Sequence, residues 1–176
     1  MRKNEEFENA IVSMARDMYQ NDGYIQPVIV FDTDIEVPSG PNAYTVIGPF
    51  IVSANRHIMS IAATKLEVPQ DKYLWANYAR QLMHTFGALI YAVLFESWIL
   101  KVDNENEIPA SVEDVQGRIE AITIQIETKT NSKMIYAEID RQNTKPVLKE
   151  FVHVPQPSLS TGIFANLLQN TSTHVH

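Results

Sequence analysis

Cysteine does not occur in the 176 residues. That excludes a disulfide framework, a thiol nucleophile and any cysteine-ligated metal. Glycine is scarce, six in all, and the motifs built on it are missing: G-x-x-x-x-G-K-[ST], G-x-G-x-x-G and G-x-S-x-G have no match. RNA-binding aromatic motifs are missing as well. Positive charge is in short supply, with 14 Lys and Arg against 21 Asp and Glu and a net charge of −7. Phosphate-backbone binding needs a concentrated basic surface, so nucleic acid is not an expected partner. The longest apolar run, residues 88–100, falls short of the roughly 20 residues a spanning helix needs, and Gly87, Glu96 and Ser97 interrupt its wider window. No membrane partner is expected. The opening MRKNEEFENA lacks the apolar core of a secretory signal, which gives the cytoplasm as the expected location. Nothing in the pattern requires a cofactor.

What is present suits a globular chain: 45% apolar and 20% charged residues. Residues 1–154 read as one domain, and 155–176 as a polar tail expected to be partly disordered. The first helix spans about 5–20, where Phe7, Ala10, Ile11, Met14 and Met18 recur at helical spacing and Asn21-Asp22-Gly23 ends it. A strand over 25–35, a turn over 38–42 and a strand over 43–52 follow, most simply as a hairpin. Residues 54–66 carry a weaker helical stripe of Ile58, Ile61, Ala62 and Leu66. Pro69 and Asp71 open a better helix with Leu74, Trp75, Tyr78, Leu82 and Phe86 on its apolar side, and Gly87 stands at its C′ position.

The run ALIYAVLFESWIL, residues 88–100, marks the centre of the fold. It shows no single helical face and is rich in β-branched and aromatic residues, so a strand buried on both faces is expected. Residues 103–117 form an acidic connection. Residues 118–129 then alternate, with Ile122, Ile124 and Ile126 on one face, and 134–142 answer with Ile135, Ala137 and Ile139. A two-residue turn at Asn131-Ser132 sets Ile126 opposite Ala137, Ile124 opposite Ile139 and Arg141 opposite Ile122. A further strand is expected within 147–154 and a short helix at 163–169.

This order predicts an α+β fold: an antiparallel sheet of five to six strands with helices mainly on one face, in two layers. The order resembles that of profilin and roadblock-type domains, an analogy of fold that carries no function. If the central strand is apolar on both faces, the second face needs cover from the tail or a second subunit, so a homodimer is expected. Three short motifs add a family likeness: Asp22-Gly23 followed by Pro27, Glu96-Ser97-Trp98, and Arg118-Ile119-Glu120-Ala121. In these the chain is similar to an uncharacterised family of single-domain bacterial and phage proteins, a resemblance that implies no particular activity.

The polar ends of the sheet hold the candidates for chemistry. Glu96, Arg118, Glu120 and Arg141 fall at one end of the isoleucine face, where two guanidinium forks and two carboxylates suit an anionic ligand or a salt-bridge network. Glu127-Thr128-Lys129, with Asp114 or Asp103 upstream, resembles the E-x-K strand of metal-dependent nucleases, in which a carboxylate holds Mg²⁺ and a lysine stabilises charge. A strand turning directly into another strand departs from that pattern. Asp32 and Asp34, continued by Glu36, alternate on a strand and offer oxygens to a hard cation or simply to solvent. The histidines are scattered, with His84 read as a packing residue and His174 and His176 in the tail. Two classes of function follow. The first is a non-catalytic binding or accessory protein, homo-oligomeric and acting through protein or small-anion contacts. The alternative is a metal-dependent nuclease or phosphohydrolase using Glu127 and Lys129.

Overall fold

A computed structural model of the chain describes residues 2–37, 44–64, 66, 69–101, 109, 115–154 and 163–169. The expected turn at 38–42, Asp103, Asp114, His174, His176 and most of the tail lie outside the described residues. Helix α1 (Arg2–Asp22) buries Phe7, Ile11, Ala15 and Tyr19, an unbroken line at four-residue spacing flanked by Met14 and Met18. Its end is closed by Gly23, whose N–H donates to the Tyr19 carbonyl at 2.8 Å. Gly23 holds the positive φ of 74° that a helix-terminating C′ residue adopts.

Eight strands form an open antiparallel sheet: β1 (Val28–Val37), β2 (Tyr44–Ile47), β3 (Phe50–Ala63), β4 (Ile90–Ile99), β5 (Ile119–Thr128), β6 (Ser132–Asp140), β7 (Val147–Leu148) and β8 (Val152–His153). Their order is β2-β3-β1-β4-β5-β6-β7, with β8 also on β6. The α+β class holds, and the strands outnumber the five to six expected. Strand β4 is central and buried on both faces, as its composition requires. Ile90, Ala92 and Leu94 face α1, whereas Tyr91 and Val93 face α2 (Pro69–Thr85).

The helices therefore lie on opposite faces of the sheet, a correction to the two-layer arrangement. A strand with two apolar faces demands cover on each. The second face is covered by Trp75, Ala76, Ala79 and Met83 of α2 and by Leu167 and Leu168. The reason for expecting a homodimer is thereby removed, because the chain covers this face itself. Residues 163–169 do so as consecutive turns rather than a helix. In α2, Leu74 is exposed, and the small residues Ala76 and Ala79 let the helix approach the sheet in its place. His84 is exposed as well. No helix among the described residues is long and apolar enough to cross a membrane.

Residues 54–63 are strand, not helix, and β1 does not form a hairpin with β2. Both pair with β3, which lies between them. Strand β3 doubles back on itself. The Thr64 N–H donates to the Pro49 carbonyl at 2.9 Å, whereas a straight strand, at ~3.3 Å per residue, would hold those ends about 50 Å apart. The midpoint falls between Arg56 and His57, and Arg56 takes the positive φ of 53° that tight reversals use. Burial agrees, since Phe50, Val52 and Ala54 share the α2 face with Met59, Ile61 and Ala63. Ile58 and Ala62 pack on the α1 face and Ile61 on the α2 face, so a strand apolar on both sides imitates a helical stripe.

The β5–β6 hairpin forms with its register moved by four residues. Ile124 pairs with Ile135, Ile122 with Ala137 and Ile126 with Lys133. The turn lies at Lys129-Thr130, two residues before the expected Asn131-Ser132. It is closed by the Thr128 N–H on the Asn131 carbonyl at 2.9 Å. The Thr128 hydroxyl accepts the N–H of Asn131 at 3.0 Å, the side-chain bond that fixes this turn. A shift of four is even, so the isoleucine faces still meet.

Candidate functional site

Beneath the last turn of α1, the alternation that buries the isoleucines continues into charge. On β4 it passes from Leu94 to Glu96 and Trp98, on β5 back from Ile122 to Glu120, and beyond β6 from Ile139 to Arg141. Trp98 is paired with Glu120, and Glu96 with Ile122. The Arg141 guanidinium donates through Nε and Nη2 to both oxygens of Glu120, the bidentate fork geometry. That bond holds the Glu120 carboxyl below its ordinary range, with partial burial opposing it. It raises Arg141 in turn.

Arg118 stands apart from the carboxylates, its guanidinium stacked 4.2 Å from the centre of the Trp98 ring. Glu96 Oε1 accepts the N–H of Ile25 at 2.7 Å, anchoring the turn between α1 and β1. Three of the four expected residues thus converge: Glu96, Glu120 and Arg141 all act electrostatically on Tyr19. Tyr19 was not foreseen. Its hydroxyl is buried with no hydrogen-bond partner among the described residues. Burial raises its pKa first, with the Arg141 charge opposing and Glu96 and Glu120 adding to the rise. Its place four residues after Ala15 on the α1 stripe was the only signal in the sequence.

Glu127 and Lys129 are not brought together. Glu127 is 2% exposed on the α2 face, while Lys129 is an exposed residue of the turn. Glu127 accepts bonds from the Tyr91 hydroxyl, from Gln125 Nε2 at 2.8 Å and from the Asn166 N–H at 2.8 Å. The Phe164 carbonyl lies 2.7 Å from the same hydroxyl and shares its single proton with Glu127, and the hydroxyl receives the Leu167 N–H at 3.3 Å. The carboxylate ties residues 163–169 to the sheet. A hydroxyl inside the apolar run was the clue, since buried tyrosines find partners.

Asp32 and Asp34 also do separate work. Asp32 Oδ1 accepts the N–H groups of Leu89 at 2.8 Å and Ile90 at 3.1 Å. The exposed Asp34 uses its backbone N–H on the Phe86 carbonyl at 2.9 Å. Both line a groove of about 420 Å³ with Lys3 and His57. Among the described residues, no three His, Asp or Glu side chains are placed to hold a metal ion. No family model, curated protein or solved structure matches the chain.

Proposed function

We propose that this chain is a non-catalytic binding protein that acts as a homo-oligomer, with β2 as the self-associating element. The exposure of β2 carries this reading. Tyr44, Thr45, Val46 and Ile47 are all exposed at the edge of the sheet, Tyr44 by 63% and Val46 by 62%. Edge strands are ordinarily blunted by charge, proline or a bulge, and this strand has none within it.

Two copies that each carry a net charge of −7 repel, so contact favours an uncharged segment. Antiparallel pairing about a twofold axis puts Tyr44 opposite Ile47 of the partner subunit and Thr45 opposite Val46 of the partner subunit. These are apolar and β-branched cross-strand pairs with no charge opposed. The non-catalytic half of the reading is supported by the carboxylates, since Asp32, Glu96, Glu120 and Glu127 each accept hydrogen bonds from their own chain. A four-residue edge buries little area, so the association is weak, micromolar or above.

Sedimentation velocity over a concentration series tests this, with Val46→Lys as the edge-blocking variant. The expected result is a concentration-dependent dimer in the native chain and a monomer in V46K, with matching circular dichroism. A native chain that stays monomeric to millimolar concentration overturns the reading, as does a dimer that V46K leaves intact.

A further inference from the structure

We infer that the α1-side face of β3 is a docking groove for an amphipathic helix of a partner protein, one whose apolar stripe is flanked by Lys or Arg. The two helices are staggered across the sheet: α1 packs over β4 and β5, and α2 over β1 and β3. On the α1 side, β3 and β2 therefore have no helix above them among the described residues. Pairing between β2 edges would use that strand's backbone, so the groove stands with or without self-association.

The floor follows from strand alternation. Ile58 and Ala62 pack on the margin of the α1 core, and Ser60 lies between them on the same face. Before the reversal, Phe50, Val52 and Ala54 face α2, so Ile51 and Ser53 face the groove. All five floor residues are uncharged and only half-buried. Beyond them the exposed Val46 and Tyr44, paired with Ile51 and Ser53, form the outer lip. The inner wall is one flank of α1. Its start is fixed by a cavity of about 420 Å³ in which Lys3, Phe7 and Ala10 meet His57 and Ile58. Met14 and Met18 continue that flank at four-residue spacing, half-buried against the same core. On its far margin this core is covered by Leu148 and Phe151. Methionine adapts readily to a partner's surface.

Backbone pairing, width and charge choose the occupant. The floor strand is paired along both of its edges, so a guest here must satisfy its own backbone hydrogen bonds, as a helix does. The two arms of β3 and the β2 strand extend ~14 Å beyond β1 at ~4.8 Å per strand. One helix, about 10–12 Å across with its side chains, fits that width beside α1. Three carboxylates, Glu6, Asp32 and Asp34, line the end of the groove with one ammonium, Lys3. With the net charge of −7, this favours a basic partner over a second acidic copy. The contact is the helix-in-groove mode, read by apolar residues at three- and four-residue steps.

Fluorescence anisotropy of the full chain with a labelled helical peptide of about five turns tests this. The probe carries a leucine stripe at helical spacing and lysine elsewhere. Two comparison peptides have the same composition in scrambled order, or glutamate in place of lysine. The Leu/Lys peptide binds in the micromolar range, and both comparisons bind about tenfold more weakly or not at all. Ala10→Lys on the wall and Ser60→Lys on the floor each weaken binding by about tenfold, with circular dichroism and sedimentation unchanged. Ala10 is an exposed helix residue, so A10K keeps the test decisive if S60K does not fold. Absence of binding by the Leu/Lys peptide overturns the proposal. Equal binding of either comparison peptide, or native affinity in A10K, does so as well.

Discussion

The hydroxyl of Tyr91 donates to the carboxylate of Glu127 from the directly paired position on the neighbouring strand. Through this one oxygen the central strand, the β5 strand and residues 163–169 are joined, since Phe164 and Leu167 bond to the same hydroxyl. Tyr91→Phe leaves a buried carboxylate short of a donor and two backbone groups unpaired. The expected loss is about 2–4 kcal/mol in chemical denaturation. Proteolysis within residues 163–169 should accelerate at the same time. A loss under about 0.5 kcal/mol, the range of neutral surface changes, would show that the three segments are not coupled this way.

Gly87 makes a second sharp prediction. It holds φ at 67°, and a Cβ built there would meet the Asp34 Cβ at 3.0 Å. Gly87→Ala thus combines a disfavoured backbone with a close contact and should cost about 1–3 kcal/mol. Gly23→Ala, which has the same sign of φ but nothing within 4 Å, should cost less. Equal losses in the two variants would rule out the Asp34 contact as a contributor.

Arg56 occupies the reversal of β3 with φ at 53°. Arg56→Gly relieves a left-handed conformation, and a thermal melt should show stability equal to the native chain or raised by up to about 1 kcal/mol. Arg56→Val places a β-branched residue there and should lower stability by a similar amount or more. Opposite ordering of the two variants would mean that β3 does not reverse at this residue.

Acid should weaken the fold through Glu120 and Glu138. Both carboxyls are held below their ordinary value of 4.5, Glu120 by Arg141, and Glu138 by Lys149 and Lys101. Carboxyls depressed in the folded state stabilise it above their unfolded pKa and lose that contribution as pH falls through the folded one. The difference in Tm between the native chain and Glu120→Gln should therefore be constant above pH 4.5 and shrink below it. Tyr91 acts in the opposite direction. Burial, followed by its bond to Glu127, raises its pKa above 10.0, so its contribution is complete below that pH and declines in stronger alkali. Guanidinium denaturation across both windows, with Tyr91→Phe as reference for the alkaline one, measures each slope.

Part of the candidate site was legible because strand alternation is local. Glu96, Glu120 and Arg141 follow the same parity as the isoleucines, so their arrival on one face needed only a period of two. That survived a register error, because the turn at Lys129-Thr130 moved the pairing by an even number. The roles were not legible in the same way. Arg118 shares the parity but stacks on Trp98. Glu127 looked like an exposed partner of Lys129, and its burial rests on contacts with Tyr91 and Asn166, 36 and 39 residues away.

By itself, the sequence determined which segments are apolar on one side, on both or on neither. That is enough for the first helix, the central strand β4, the isoleucine hairpin and the α+β class, since each rests on periodicity within a few turns or one strand. The absence of cysteine likewise excluded disulfides and thiol chemistry. Tertiary structure alone decided the rest: one helix on each face, the doubling of β3 at Arg56, and the burial of Glu127 under residues 163–169. It also buried the Tyr19 hydroxyl without a hydrogen-bond partner among the described residues. These depend on contacts between distant residues, where competing packings of the same apolar surface differ in energy but not in local pattern.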